Sequence, residues 1–251
     1  MLKKLMIKNF KCFTDVEIGF SPLTLLVGPN GAGKSTVIQA LLMSKQSAER
    51  INVENLQDES SINFDVLLNG PYNLQLGQAS HVISSNATSK FIEFTLKNKF
   101  EQEVNYVYEI DSIYGSALLK GGIRKSSDFR GRENDFPLSG PFSYLGSERL
   151  GPRRALEMAP SSFLNVGYQG EYVSHVMRLA DIEEVRLNEE LRIEKRLAKF
   201  SDQVIAWLNT IIPNIDVNYE VIEKMNMVSL GYKNNILNTE YVSASNTGFG
   251  I

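Results

Sequence analysis

The stretch "TLLVGPNGAGKSTVIQALLM", residues 24–43, constrains this 251-residue chain more than any other. A short apolar run, Thr24 to Val27, leads into a loop with glycines at 28, 31 and 33. Apolar positions then follow at helical spacing: Val37, Ile38, Leu41 and Leu42. Glycine loses more conformational freedom on folding than any other residue. Three of them so close together mark a backbone path that other residues do not follow. The apolar run suits a central strand buried on both faces. The spacing after it predicts a helix from Ser35 to about Gln46, with Lys34, Ser35 and Thr36 at the junction.

The spacing Gly28-x-x-x-x-Gly33-Lys34-Ser35 is the Walker A pattern. Glycines let successive N–H groups point inward and form an anion nest. The helix behind them offers its orphan N–H groups and the positive end of its dipole to the same phosphates. Asn30, Gly31, Ala32 and Gly33 supply the loop. Lys34 places a compact charge on the β and γ oxygens. Ser35 offers a hydroxyl to Mg²⁺, a hard ion that prefers oxygen, and Thr36 adds one toward the α-phosphate. A loop between an apolar strand and an amphipathic helix is the context that pattern requires. ATP and Mg²⁺ are the implied cofactors.

The rest of the chain is read around that loop. Residues 2–9 and 14–20 have strand-like spacing, and "KFIEFTLKNKFEQEVNYVYEI", 90–110, alternates on both sides of Asn98-Lys99 as an antiparallel hairpin does. Residues 45–90 read as loops with a short helix, with turn chemistry at "NGPYN". Residues 111–140 read as a hairpin and a mobile loop, and "FSYLG" near 142–146 as a strand. From Glu171 to about Ile212 the pattern is helical, with Trp207 on its apolar face, until Pro213 stops it. The tail from 215 to 242 alternates as two or three strands. The single cysteine, Cys12, excludes an internal disulfide, and no apolar run is long enough to cross a bilayer. A reducing, cytoplasmic setting is the expectation. The net charge of −3 argues against coating nucleic acid with the whole surface and allows a local basic patch. His81 and His175 have no Cys or carboxylate spacing that would mark a metal site.

"GPNGAGKST", with the upstream "LKKLMIKNFKCFTDVEIGFSPLTLLVGPNG", resembles the SMC and recombination-repair branch of ABC-type ATPases. It also resembles the OLD-like and related prokaryotic ATPases, many of them found in phage-defence operons. In those families a strand ending in I-x-N-F-[KR]-x-F precedes the glycine loop, and Ile7-Lys8-Asn9-Phe10-Lys11-Cys12-Phe13 fits that form. The resemblance maps the family's basic residue beside the nucleotide to Lys11. "YLGSERLGPRR", 144–154, followed by "VGYQGEYV", 166–173, is similar to a segment of the defence-type members. Arg149, Arg153 and Arg154 crowd it. Arginine forks suit phosphate, or the carboxylate of a partner. The other reading is a solvated loop paired with Glu148 and Glu157. "SASNTGFGI" resembles the run into the ABC signature, of which Gly248-Phe249-Gly250-Ile251 would be the start.

The resemblance implies an α/β fold: a P-loop NTPase (ABC-type) N-terminal lobe with an antiparallel β-sheet subdomain and a helical insert. The expected division is 1–170 for the nucleotide-binding lobe, 171–213 for the helical insert and 214–251 for returning strands that lead into the signature. Hydrolysis requires an apolar strand ending in Asp-Glu. "LLNGP", "YEID" and "VMRLADIEE" do not qualify, and the family order puts this strand after residue 251. The expectation is therefore the N-terminal half of an ATPase, without catalytic residues of its own. Gln78 is the candidate Q-loop residue, with Gln75 and the segment after Tyr144 as alternatives. The implied partners are a second copy across the ATP, a partner nuclease, and DNA or RNA. The alternatives are a P-loop kinase or GTPase, or a nucleotide-binding scaffold that does not hydrolyse.

Overall fold

The computed structural model describes residues 1–51, 63–110, 116–126, 137–159, 164–194, 199–236 and 240–246. The chain divides into two compact units, Met1–Phe142 and Ser143–Ile251. Among the described residues, no helix is long and apolar enough to cross a membrane.

The first unit is built on six strands: β1 (Leu2–Phe10), β2 (Phe13–Gly19), β3 (Asn63–Leu67), β4 (Phe91–Asn98), β5 (Glu103–Glu109) and β6 (Leu118–Ser126). They form one antiparallel sheet in the order β2-β1-β4-β5-β6-β3. Strict alternation of buried and half-buried residues along β4 and β5 gives the sheet one core face. Phe94, Tyr106 and Tyr108 are fully buried there. Phe10 meets Phe94 edge-on with ring centroids 5.1 Å apart. Such a pair contributes about 0.5–1.5 kcal/mol beyond the area it buries.

Helix α1 (Lys34–Arg50) covers this face with Val37, Ala40, Met43, Ser44 and Ser47. The two serines point inward without cost. Each donates to the carbonyl four residues back, and Ser47 Oγ also meets the Tyr108 hydroxyl at 2.8 Å. Gln46 acts as a surrogate strand. Its amide donates to Leu67 O at 3.0 Å and accepts from Leu67 N at 3.3 Å, which closes part of the β3 edge. A short helix, α2 (Ala79–Val82), follows, and the "NGPYN" turn has Tyr72 and Asn73 at positive φ.

The second unit contains β7 (Leu156–Glu157), α3 (Val173–Ile182), α4 (Phe200–Asn209), β8 (Ile215–Ile222), β9 (Met227–Asn234) and β10 (Val242–Ser243). β8 and β9 make a hairpin over eight pairs, from Ile215–Asn234 to Ile222–Met227. β7 and β10 add to β9 at its two ends. Met177, Ile215, Val217 and Leu230 form the core, with Ile205 and Leu208 of α4 packed against it.

Several local readings are corrected. The run Thr24–Val27 is not a strand in this structure: it is unpaired, with Leu25 75% and Val27 90% exposed. A strand needs neighbours, and the six-stranded sheet is completed without this run. Residues 63–67, read as loop, form β3, because the Gln46 side chain and β6 supply partners distant in sequence. "FSYLG" is irregular rather than a strand. The helical stretch expected over 171–212 is two helices, with Asn188 to Arg192 folded as a 3₁₀ turn and its flanks. Trp207 is not core. It is 47% exposed, and its indole N–H donates to Leu191 O at 2.8 Å. The amphipathic period is present, but the 3₁₀ turn meets the indole through a backbone carbonyl and leaves nearly half of the residue exposed. Of the stretch 111–140, read as a hairpin and a mobile loop, Leu118–Ser126 form β6 between β5 and β3, while 111–115 and 127–136, like the signature-like residues 248–251, lie outside the described residues.

Candidate functional site

The glycine loop is held from below by the turn between β1 and β2. Asn9 and Lys11 both take left-handed backbone, φ 57° and 51°. Asparagine tolerates this better than most residues. Its amide locks the bend by donating to Ser89 Oγ at 3.1 Å and Phe91 O at 3.0 Å. Lys11 N–H reaches Val82 O at 2.8 Å, and Ser84 N–H reaches Asn9 O at 3.0 Å, so α2 and its exit strap the turn in place.

The turn then meets Gly33. A Cβ there would lie 2.4 Å from Phe13 Cζ and 2.9 Å from Cys12 Sγ. Gly33 is also at φ +93°. Two independent demands therefore require glycine at this position: the left-handed backbone and the close approach of the turn. Cys12 Sγ sits 3.7 Å from Thr36 Oγ1. Lys11 Nζ donates to Gln39 Oε1 at 2.9 Å, which sets its ammonium beside α1. Burial pushes the Lys11 pKa down, with the neighbouring Cys12 opposing.

The loop itself is a tight arch. Ala32 N–H returns to Pro29 O at 3.3 Å, and Gly31 takes φ +83°. Lys34 Nζ lies inside the arch and donates to Gly28 O and Pro29 O, both at 2.7 Å. Gly33 caps α1 but has no side chain with which to do so. Val37 N–H is the first to turn back, to Gly33 O at 3.0 Å. The N–H groups of Lys34, Ser35 and Thr36 therefore lack a helical acceptor. Ser35 is exposed and Thr36 buried. Asn30, Gly31 and Ala32 are exposed. Uncapped amides, a positive dipole end and a lysine already inside the arch fit a phosphate chain. Ser35 is the exposed hydroxyl that would meet Mg²⁺, with phosphate oxygens and water completing the shell. Among the described residues, no group of three or more His, Cys, Asp or Glu residues could hold a metal.

Gln78 is exposed at the start of α2, and Gln75 lies in a small bridge with Asn69. The sequence pattern named Asn9 and Cys12 within the motif without assigning them a place at the loop, and it passed over Gln39. The signal was present in the pairing of "NFKCF" with a glycine loop, but the contact between them joins residues some twenty positions apart.

In the second unit the two arginine-rich and glycine-rich segments come together. Gly146 N–H donates to Tyr168 O at 2.8 Å, and Leu150 N–H to Gln169 O at 2.9 Å. The Glu171 carboxylate folds back into its own loop and accepts from Gln169 N–H at 2.7 Å and Tyr168 N–H at 3.3 Å. A Cβ on Gly167, at φ +83°, would lie 2.2 Å from the Glu171 carboxyl carbon. The "VGYQGE" motif is thus a loop that coordinates its own anion.

Beside it lies an open cavity of about 730 Å³, lined by Arg149 and Arg153 among others. Arg154 is not in the lining; its carbonyl accepts from Ser229 Oγ at 2.8 Å. Among the described residues, none of the three arginines pairs with Glu148 or Glu157. The arginines are exposed, as in a solvated loop, but without those ion pairs.

The family model described as "AAA ATPase domain" matches residues 1–137, more than half of the chain. The OLD nuclease of Thermus scotoductus is 54% identical over 41 residues, 16% of this chain and 8% of that protein. The chromosome partition protein Smc of Halothermothrix orenii is 43% identical over 61 residues, 23% of this chain and 5% of that protein. The Smc protein of Halobacteriovorax marinus is 32% identical over 120 residues, 44% of this chain and 10% of that one. The chain thus spans a tenth or less of the length of these relatives. These likenesses bear out the SMC-like and OLD-like resemblance read from "IKNFKCF" and "GPNGAGKST". With the glycine arch, the mixed α/β architecture and the matched region all in the first unit, the chain belongs to the AAA ATPase domain family.

Proposed function

We propose that the chain binds ATP with Mg²⁺ at the arch of residues 28–36 and is the nucleotide-binding half of an ABC-type ATPase lobe. The observation that carries this is the uncapped start of α1 behind Gly33, with the Lys34 ammonium lying inside the arch. On arrival of a triphosphate, Lys34 exchanges two carbonyl acceptors for charged oxygens, a stronger interaction. The amides of Lys34, Ser35 and Thr36 hold the remaining oxygens. Ser35 completes the metal shell, and Lys11 adds charge at the side of the site. Gln78 would approach from the α2 side, the same segment that straps the β1–β2 turn.

Two copies would close on ATP, each completing the other's site, with hydrolysis as the release. Hydrolysis would need a water-orienting acid as well, and the sequence has no apolar run ending in Asp-Glu. The two-helix region after residue 171 would be the insert that links this lobe to an effector. A relative named a nuclease and relatives named for chromosome partition support an effector that handles DNA or RNA. The setting would be cytoplasmic.

The test is Lys34→Ala in calorimetric titration with ATP and Mg²⁺. Loss of a charged hydrogen-bonding partner predicts affinity weaker by about tenfold to a hundredfold. An unchanged dissociation constant would remove the reading.

A further inference from the structure

We infer that the unit Ser143–Ile251 carries a docking cavity for a partner protein's acidic, aliphatic-rich peptide segment. The lining is mainly aliphatic: buried Val228 and Leu230 alternate with half-buried Tyr232 on one face of β9, Leu156 of β7 adds to them, and the exposed Leu145 and Val173 supply accessible apolar surface. The rim carries Arg149 and Arg153, held apart by Leu150-Gly151-Pro152. Both arginines are exposed and have no carboxylate partner among the described residues. Glu148 also lines the cavity, so its rim carries two guanidinium groups against one carboxylate, with no ion pair between them among the described residues; the nearby loop's Glu171 is taken up by backbone amides. The same loop holds the arginine segment rigidly through Gly146 and Leu150.

Charge and lining together select the occupant. Two guanidinium forks call for carboxylates or phosphates. A volume of about 730 Å³ is that of a ligand pocket rather than a packing gap. Single-stranded nucleic-acid sites add a series of aromatic faces on which bases stack, whereas among the described residues Tyr232 is the one aromatic residue lining this cavity. An aliphatic floor under arginines instead matches a peptide that buries leucine- or isoleucine-like side chains and presents acids at the rim. The cavity lies wholly in the second unit, so it stands or falls independently of the ATP reading.

The experiment is selection of short random peptides displayed on phage against the immobilised whole chain, followed by fluorescence anisotropy of the winning peptide. The expected consensus places aspartate or glutamate beside aliphatic residues. Binding should weaken about tenfold for each arginine removed, in Arg149→Gln and Arg153→Gln. It should weaken also when the peptide's acids become amides, or its aliphatic residues serines. Lys34→Ala should leave it unchanged. Circular dichroism of the arginine variants separates lost binding from lost folding, and Arg149→Lys with Arg153→Lys repeats the measurement if the glutamines unfold. The inference is overturned by selection that yields no acidic-aliphatic consensus, or by binding that survives in the folded double variant. It is also overturned if single-stranded oligothymidylate competes with the peptide and needs the same arginines, which would make the cavity a nucleic-acid site.

Discussion

Gly33→Ala tests how the glycine arch is built. The new Cβ meets Phe13 Cζ at 2.4 Å and Cys12 Sγ at 2.9 Å, and the backbone sits at φ +93°. The left-handed backbone alone costs a non-glycine residue about 1–2 kcal/mol. Forcing a methyl into an occupied space adds about 1–3 kcal/mol. The expected destabilisation of the first unit is therefore about 2–5 kcal/mol. Gly31→Ala is the internal control. Gly31 has φ +83° but nothing within 4 Å of its added Cβ, so only the backbone cost of about 1–2 kcal/mol applies. Removing the ring should relieve much of the steric part. In a cycle of Gly33→Ala and Phe13→Ala, the double variant should be more stable than the sum of the singles by about 1–2 kcal/mol. Equilibrium urea unfolding followed by circular dichroism reads the wild type and all four variants. Equal costs for Gly31→Ala and Gly33→Ala, with coupling inside the usual scatter of about 0.5 kcal/mol, would refute the bracing of the arch by the β1–β2 turn.

Three further outcomes follow from the same geometry. Cys12 is exposed and 3.7 Å from Thr36 Oγ1, so maleimide labelling should proceed freely in the apo protein and slow severalfold with saturating ATP, timed by mass spectrometry; equal rates would place the nucleotide elsewhere. Glu171→Ala removes a charged acceptor from two backbone amides and should cost about 1.5–3 kcal/mol, seen as faster hydrogen exchange at Tyr168 and Gln169. Tyr106 and Tyr108 are buried and have pKa values pushed above 10 by desolvation. Below the ordinary tyrosine pKa they have no effect on the pH dependence of stability. Above it the unfolded chain has lost these protons and the folded one has not, so stability falls by about 2.7 kcal/mol per pH unit for the two together. Phenolate absorbance from them should then appear with unfolding; its appearance before the loss of circular dichroism would contradict their burial.

The legible parts of this protein are those whose information is local. The β4–β5 and β8–β9 hairpins declare themselves by alternation around polar turns. The arch is evident from its glycines and lysine, because phosphate-cradling backbone demands those residues within a few positions. Trp207 and the run Thr24–Val27 show the limit. Both have the apolar pattern of a buried element, and both are exposed, because a pattern states what a segment could bury and not whether anything arrives to cover it. "VGYQGE" shows a different gap. Its glycines marked a special backbone, yet only the fold reveals that Glu171 fills the nest and that Arg149 and Arg153 line a cavity without a carboxylate partner among the described residues.

By itself the amino-acid order determined the backbone path of residues 28–36, the charge placed at its centre and the family that uses it. Those properties depend on covalent neighbours and on steric limits at single residues. Tertiary structure decided that the Asn9–Phe13 turn supports the arch and that Gln46 completes a sheet edge. It also decided that arginines 149 and 153 stand over an aliphatic cavity. Each of these is a contact between distant segments, and its geometry exists only once the chain has closed the loop between them.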